Sequence, residues 1–201
     1  MNDSVLIRAS AQAMIEAGRL FHQRGWVPAT GGNFSAKLAS HRMLITASGG
    51  HKGELTEDDF LVADLDGKPL DSTRKASYET GLHVQLYAQD AAIGCVLHTH
   101  SVANTVLSRR FESIHLQGYE LLKLLPNITT HDAHADIPVF ANDQDIARLA
   151  ATIDHELKKM PAPAYLIAGH GLYAWGTTVA QARYRVEALE FMFACELEAK
   201  R

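Results

Sequence analysis

The sequence predicts a layered α/β fold, and three observations carry that prediction. Short apolar runs of the kind that form buried strands recur between longer segments whose apolar residues step by three or four. One such run, Cys95-Val96-Leu97-His98-Thr99-His100-Ser101, is followed at once by a helix-start signal at Ser101 or Asn104. That places two histidines at the carboxyl end of a strand, where ligands collect in layered α/β folds. Finally, 201 residues are enough for one domain, spanning 1–201, to bury a full core without metal or disulfide staples.

Each element follows from local pattern. From Val5 to Arg24 the positions Leu6, Ala9, Ala13, Ala17, Leu20 and Phe21 mark one face of a helix, which Gly25 ends. A small-residue loop, Thr30 to Ser35, then enters a short strand running to about Leu38. Ser40-His41-Arg42 turns the chain into the hairpin partner Met43–Thr46, which empties into a second glycine-rich loop, Ala47 to Gly53. Thr56 caps a turn over Glu57–Phe60, Leu61–Leu65 is a strand, and Asp66-Gly67 is a hairpin turn leading out through Lys68-Pro69-Leu70. Ser77 is expected to cap a helix with the stripe Leu82, Leu86 and Tyr87, placing Glu79 at its N-terminal end. After the histidine strand and its helix, Phe111–Leu116 reads as a strand, Tyr119–Leu125 as a short helical turn and Ile137–Phe140 as a strand. A helix from Asn142 or Asp143 to about Met160 is stopped by Pro161 and Pro163. Tyr165–Tyr173 reads as a strand, its apolar run ending at His170 held between Gly169 and Gly171. Thr178 with Gln181 forms a capping box for a last helix bearing Ala182, Val186, Leu189 and Phe193.

Composition excludes several classes. Nineteen basic against 23 acidic residues give a formal charge of −4, which leaves no nucleic-acid footprint and no polybasic membrane patch. The two cysteines, Cys95 and Cys195, form no C-x-x-C and are expected to be reduced. No basic segment precedes an apolar stretch at the N-terminus, and no apolar run reaches about 18 residues, so a cytoplasmic protein without membrane contact is expected.

The chemistry resides in histidines, glycine-rich loops and two carboxylates. Two residues apart on a strand, His98 and His100 project from one face, with Cα atoms roughly 7 Å apart at about 3.3 Å per residue. Two imidazoles at that spacing converge on one divalent ion, and His170, between two glycines, is the third candidate. Three neutral histidines with an open fourth position favour zinc and catalysis over a structural staple. The loops Thr30–Ser35 and Ser48–Gly53, with Ser77 and the single Lys52, offer amides, hydroxyls and one ammonium, the inventory for holding a phosphate monoester. No Walker A loop and no G-x-G-x-x-G after a strand occurs, so no nucleotide cofactor is indicated. Metal, phosphate pocket and carboxylates together point to a phosphorylated sugar: the metal acts as a Lewis acid on a ketone while Glu79 or Glu120 moves a proton on the adjacent carbon.

The ordered set Thr30-Gly31-Gly32-Asn33-Phe34-Ser35, Ile45-Thr46-Ala47-Ser48-Gly49, Ser77-Tyr78-Glu79, His98-Thr99-His100 and Gly169-His170-Gly171 resembles the class II aldolase/adducin family over nearly the whole chain. The resemblance implies an α/β/α fold with a mainly antiparallel central sheet, one zinc ion per subunit and a homotetramer with sites near subunit interfaces. It implies His98, His100 and His170 as zinc ligands, and Thr30, Asn33, Ser48, Gly49 and Ser77 as phosphate-binding positions. Ser48–Leu55, Glu120–Lys123, Ile137–Asn142 and His170–Gly176 are similar to the branch that dehydrates a 5-methylthio ketopentose 1-phosphate in methionine salvage. In that branch the Glu-Leu-Leu-Lys glutamate, here Glu120, is the proton carrier; in the aldolase branch it is the residue at Glu79. Phe111, Tyr119 and Trp175 are candidates for the apolar wall around the methylthio group. The alternatives are a fuculose or rhamnulose 1-phosphate type aldolase and, as a non-catalytic class, an adducin-like binding module. Tyr78 departs from the second serine common in aldolases, and His131-Asp132-Ala133-His134-Ala135-Asp136 matches no family motif.

Overall fold

A computed structural model describes residues 3–39, 41–70 and 72–199. The strands are β1 (Asn33–Ala39), β2 (Arg42–Thr46), β3 (Phe60–Asp64), β4 (Cys95–Thr99), β5 (Ser113–Gln117), β6 (His134–Phe140), β7 (Ala164–Ile167) and β8 (Gly171–Gly176). They form one eight-stranded sheet in the order β3-β2-β1-β4-β8-β7-β6-β5. Every neighbouring pair is antiparallel except β6 and β7, which run parallel. Helices α1 (Asp3–Gln23), α3 (Val102–Arg110) and α5 (Val179–Ala199) cover one face, and α2 (Thr80–Gln89) and α4 (Ile146–Lys159) cover the other. This is the α/β/α architecture with a mainly antiparallel sheet that the sequence led us to expect.

Strand alternation builds the two cores. In β4, Cys95 and Leu97 face the α1/α5 layer while Val96 faces α2 and α4. In β8, Leu172 and Ala174 face the first layer, Tyr173 and Trp175 the second. A sheet covered on both sides therefore reads as near-continuous apolar runs, interrupted on the α2/α4 face by the buried polar residues Asn33, Ser35 and His98. Among the described residues, no helix is long and apolar enough to cross a membrane.

Several boundaries differ from the sequence reading, each for a local reason. Ser40 of the predicted 40–42 turn lies outside the described residues, and Arg42 already pairs with Ala39. Helix α2 begins at Thr80 rather than just after Ser77, because Ser77 and Glu79 form a preceding turn in which the Ser77 carbonyl accepts from the Thr80 amide at 3.1 Å. Helix α4 begins at Ile146, capped by Asp145, whose carboxylate accepts from the Arg148 amide at 3.0 Å. The stretch His134-Ala135-Asp136 is strand, paired with Leu116 and its neighbours, so β6 is longer than expected. Residues Tyr165–Tyr173 are two strands, and His170 sits in the tight turn between β7 and β8, where its amide donates to the Ile167 carbonyl at 3.0 Å. Gly169 takes φ +65° there, a conformation that favours glycine.

Helix α5 anchors the segment that follows β4. The buried Glu190 accepts at one oxygen from Thr99 Oγ1 (2.7 Å) and Asn104 Nδ2 (2.9 Å), while its other oxygen is buried without a partner. Burial pushes its carboxyl up to about 7, against the hydrogen bonds that favour the charge. Between the ordinary value of 4.5 and about 7 the folded protein keeps a proton that the unfolded chain releases, so this group costs stability as pH rises through that window. Glu190→Gln removes the ionisation. The Tm difference between variant and wild type is therefore expected to move in the variant's favour from pH 5 to pH 8, by roughly 2–4 °C per kcal/mol relieved. Thermal melts at the two pH values check this, and a pH-independent difference contradicts it.

Candidate active site

Four segments meet at one end of the sheet: the carboxyl end of β4, the β7–β8 turn, the turn before α2 and the loop entering β1. His98 is fully buried and stacks on Tyr173, with ring centroids 4.0 Å apart. Its Nδ1 donates to the Leu172 carbonyl at 2.9 Å, so in the neutral ring Nε2 carries the lone pair. That nitrogen faces His100 Nε2 at 2.7 Å and Glu79 Oε2 at 3.3 Å. His170 Nε2 lies 3.0 Å from Glu79 Oε1, and its own Nδ1 is buried without a hydrogen-bond partner. One nitrogen of each of the three histidines lies within 4.8 Å of the others. Three imidazole nitrogens that converge this closely beside a carboxylate make a ligand set that suits a divalent metal.

Electrostatics favours the same reading. Burial pulls His98 well below the ordinary histidine range, and burial with the neighbouring His170 brings His100 to about 4. Both are neutral in neutral solution, the form that binds metal. Burial opposes the charge on Glu79, but His98, His170 and the Asn33 amide outweigh it and hold the carboxyl below the usual range. Asn33 Nδ2 donates to Glu79 Oε2 at 2.6 Å.

The approach of β8 to β4 makes this cluster possible. A Cβ on Gly171 would collide with the Thr99 carbonyl oxygen and stand 2.8 Å from the His98 ring. Gly171→Ala is thus expected to push β8 away from the histidines, lowering Tm by about 4 °C or more and releasing bound metal. A variant that melts like wild type with full metal content contradicts this.

In front of the cluster is a cavity of about 500 Å³. Thr30, Asn33, Ser48, Gly49, Lys52 and Ser77, the six positions expected to hold phosphate, all line it, with Glu79, His100 and His170. Lys52 is 2% exposed, and its ammonium donates to the Thr30 carbonyl (3.0 Å) and the Gly50 carbonyl (2.5 Å), tying the two glycine-rich loops together. Burial lowers this ammonium to about 8, against the pull of Asp59 and Glu79.

Glu120 is not brought to this cavity by its own chain. It starts a 3₁₀ turn (Glu120–Leu124) that packs under α5, on the far face from α2 and α4; its side chain is 71% exposed and 2.5 Å from Lys123. Phe111, Tyr119 and Trp175 also lie elsewhere. Trp175 packs in the core beside Tyr165, Tyr119 donates to Glu196 of α5 at 2.8 Å, and Phe111 follows α3. The apolar wall of the cavity comes from Ile146 and Leu149 of α4 instead, next to Tyr78, whose hydroxyl donates to the Gln144 carbonyl at 2.5 Å. Sequence reasoning missed these, because α4 is remote from the histidines in the chain. It also missed His83, which continues the polar network behind Asn33 with Ser35, read from the sequence as part of the phosphate loop, and Tyr87, read as part of the apolar stripe of α2. The network's only signal was polar residues on otherwise apolar faces.

A family model described as Class II Aldolase and Adducin N-terminal domain matches residues 12–197. Methylthioribulose-1-phosphate dehydratase of Pseudomonas aeruginosa (strain LESB58) is 53% identical over 190 residues, covering 93% of each chain. The protein of the same name from Gluconobacter oxydans is 51% identical, covering 94% of this chain and 91% of its own. Among solved structures, the L-fuculose-1-phosphate aldolase of Thermus thermophilus superposes with a TM-score of 0.78 at 24% identity, covering 94% of this chain and 93% of that one, a likeness of fold. The chain therefore belongs to the class II aldolase and adducin N-terminal domain family.

Proposed function

We propose that the protein is a lyase that dehydrates 5-methylthioribulose 1-phosphate to 5-methylthio-2,3-dioxopentyl phosphate, a step of methionine salvage. The observation that carries this is the 53% identity, over 93% of both chains, to a protein named for that activity. The three-histidine cluster opening on a cavity built from two glycine-rich loops supports it. We further propose one Zn²⁺ per subunit on His98, His100 and His170, a single working domain over residues 1–201, a homotetramer and a cytoplasmic location.

When bound, the zinc supplies Lewis acidity to the C2 carbonyl of the substrate, which acidifies the hydrogen on C3. Backbone and side-chain donors of Ser48, Gly49 and Ser77, with Thr30 and the loop-bracing Lys52, hold the phosphate and so fix C2 and C3 relative to the histidines. Asn33 orients Glu79. Glu79 has both oxygens engaged, by Asn33 and by the histidine side. Its role is then to place negative charge beside three neutral imidazoles and keep them aligned.

The proton carrier is Glu120, entering from a neighbouring subunit. It removes the C3 proton to give an enediolate, and the carboxylic acid so formed returns that proton to the C4 hydroxyl, which departs as water. The resulting enol tautomerises to the diketone. One C–H and one C–O bond break, and one water forms. Ile146 and Leu149 receive the apolar methylthio end.

The test is substrate comparison. The zinc-loaded protein should dehydrate 5-methylthioribulose 1-phosphate, act on its dephosphorylated form at least about 100-fold less efficiently, and leave fuculose 1-phosphate intact. Cleavage to dihydroxyacetone phosphate and an aldehyde would install the aldolase reading in its place.

A further inference from the structure

Behind the cavity a chain of buried polar side chains runs from α2 to Glu79. Tyr87 hydroxyl lies 2.7 Å from Ser35 Oγ, Ser35 Oγ lies 2.7 Å from His83 Nδ1, and His83 Nε2 meets Asn33 Oδ1. Asn33 Nδ2 then meets Glu79 Oε2 at 2.6 Å. Ser35 and His83 are fully buried, and Tyr87 and Asn33 are 3% and 4% exposed. Such a network, sealed from water, must pair every donor with an acceptor.

We infer that His83 is the positioning residue of this site: by donating from Nε2 to Asn33 Oδ1 it locks the Asn33 amide so that its NH₂ holds Glu79 against His98 and His170. The direction of each bond follows from the end of the chain. A carboxylate only accepts, so Asn33 must present its NH₂ to Glu79 and its oxygen to His83. His83 must then carry its proton on Nε2, which leaves Nδ1 to accept from the Ser35 hydroxyl, and Ser35 Oγ accepts from Tyr87. With no second acceptor on His83, the amide has one orientation. Burial, which pulls His83 down to about 4, keeps the ring neutral and able to serve as donor on one side and acceptor on the other. Ring packing adds rigidity, since His83 meets Tyr173 edge-on at 5.8 Å and Tyr173 stacks on His98. His83 thereby reaches the metal ligands both through Asn33 and Glu79 and through the tyrosine they share. No contact to substrate is required of it.

This inference rests on the three histidines being the metal site, not on the identity of the substrate. Its first test uses the zinc-loaded wild-type protein labelled with ¹⁵N-histidine: the ring-nitrogen shifts of His83 are expected to report the neutral Nε2–H tautomer from pH 6 to pH 8. An Nδ1–H tautomer or an imidazolium in that range overturns the assignment. The second test is a pair of variants. His83→Phe keeps the ring volume and removes both hydrogen bonds, and should weaken zinc binding by 10–100-fold and lower kcat, with KM within about threefold. His83→Gln can still donate to Asn33 and accept from Ser35, and should recover most of both losses. If the phenylalanine variant binds zinc like wild type, or if glutamine rescues no better than phenylalanine, the positioning role is wrong. Because zinc affinity and tautomer are read without substrate, failure of the dehydratase reading leaves these outcomes interpretable.

Discussion

Alanine at His98 is expected to leave a folded protein with no bound metal and no measurable dehydration. In the proposed metal site His98 is central: its Nε2 faces both His100 and Glu79, and its Nδ1 is fixed by the Leu172 carbonyl. Loss of an outer-shell partner of a metal ligand costs 10–100-fold in affinity or activity, and loss of the ligand itself must exceed that range. His100→Ala and His170→Ala should follow the same course. Metal content measured after gel filtration, alongside turnover, checks the set. A His98→Ala protein that retains one zinc per chain would place the metal elsewhere.

Glu120→Gln is expected to retain zinc and lose 10²–10⁴-fold in kcat, the range for removing a general acid–base group. Since Glu120 lies away from the cavity of its own chain, the loss should be repairable by another subunit. In the proposed oligomer, hybrids assembled from Glu120→Gln and His98→Ala chains should regain activity, because some interfaces then combine an intact metal site with an intact Glu120. Glu79→Gln should behave differently: it disturbs zinc affinity as well as kcat, and mixing it with His98→Ala chains should recover nothing. Normal turnover by Glu120→Gln, or hybrids that stay inactive, would return the proton transfer to Glu79.

Local chemistry made much of this legible in the sequence. The H-x-H strand, the Gly-His-Gly segment and the two glycine-rich loops are each short stretches whose spacing dictates where side chains point, and the structure brings His98, His100 and His170 together. The β-hairpin at β1–β2, the amphipathic helix α1 and the capped helix α5 follow from local pattern in the same way. What was not legible depended on contacts between remote segments. Nothing local says that the amino end of α4 lines the cavity, or that Trp175 points into the core rather than the site. His83 was not singled out from the sequence, because its partners Ser35 and Asn33 come from β1, some fifty positions away. Glu120 shows the limit most clearly: a family motif marks it, yet its own chain places it on the far face from α2 and α4.

The most direct measurement is the mass of the product formed by the zinc-loaded protein from 5-methylthioribulose 1-phosphate deuterated at C3. The account predicts a diketone phosphate lighter by one water, with the deuterium lost to solvent and a primary isotope effect that vanishes with the residual rate of Glu120→Gln. Deuterium carried to C4, or products of C3–C4 cleavage, would contradict it.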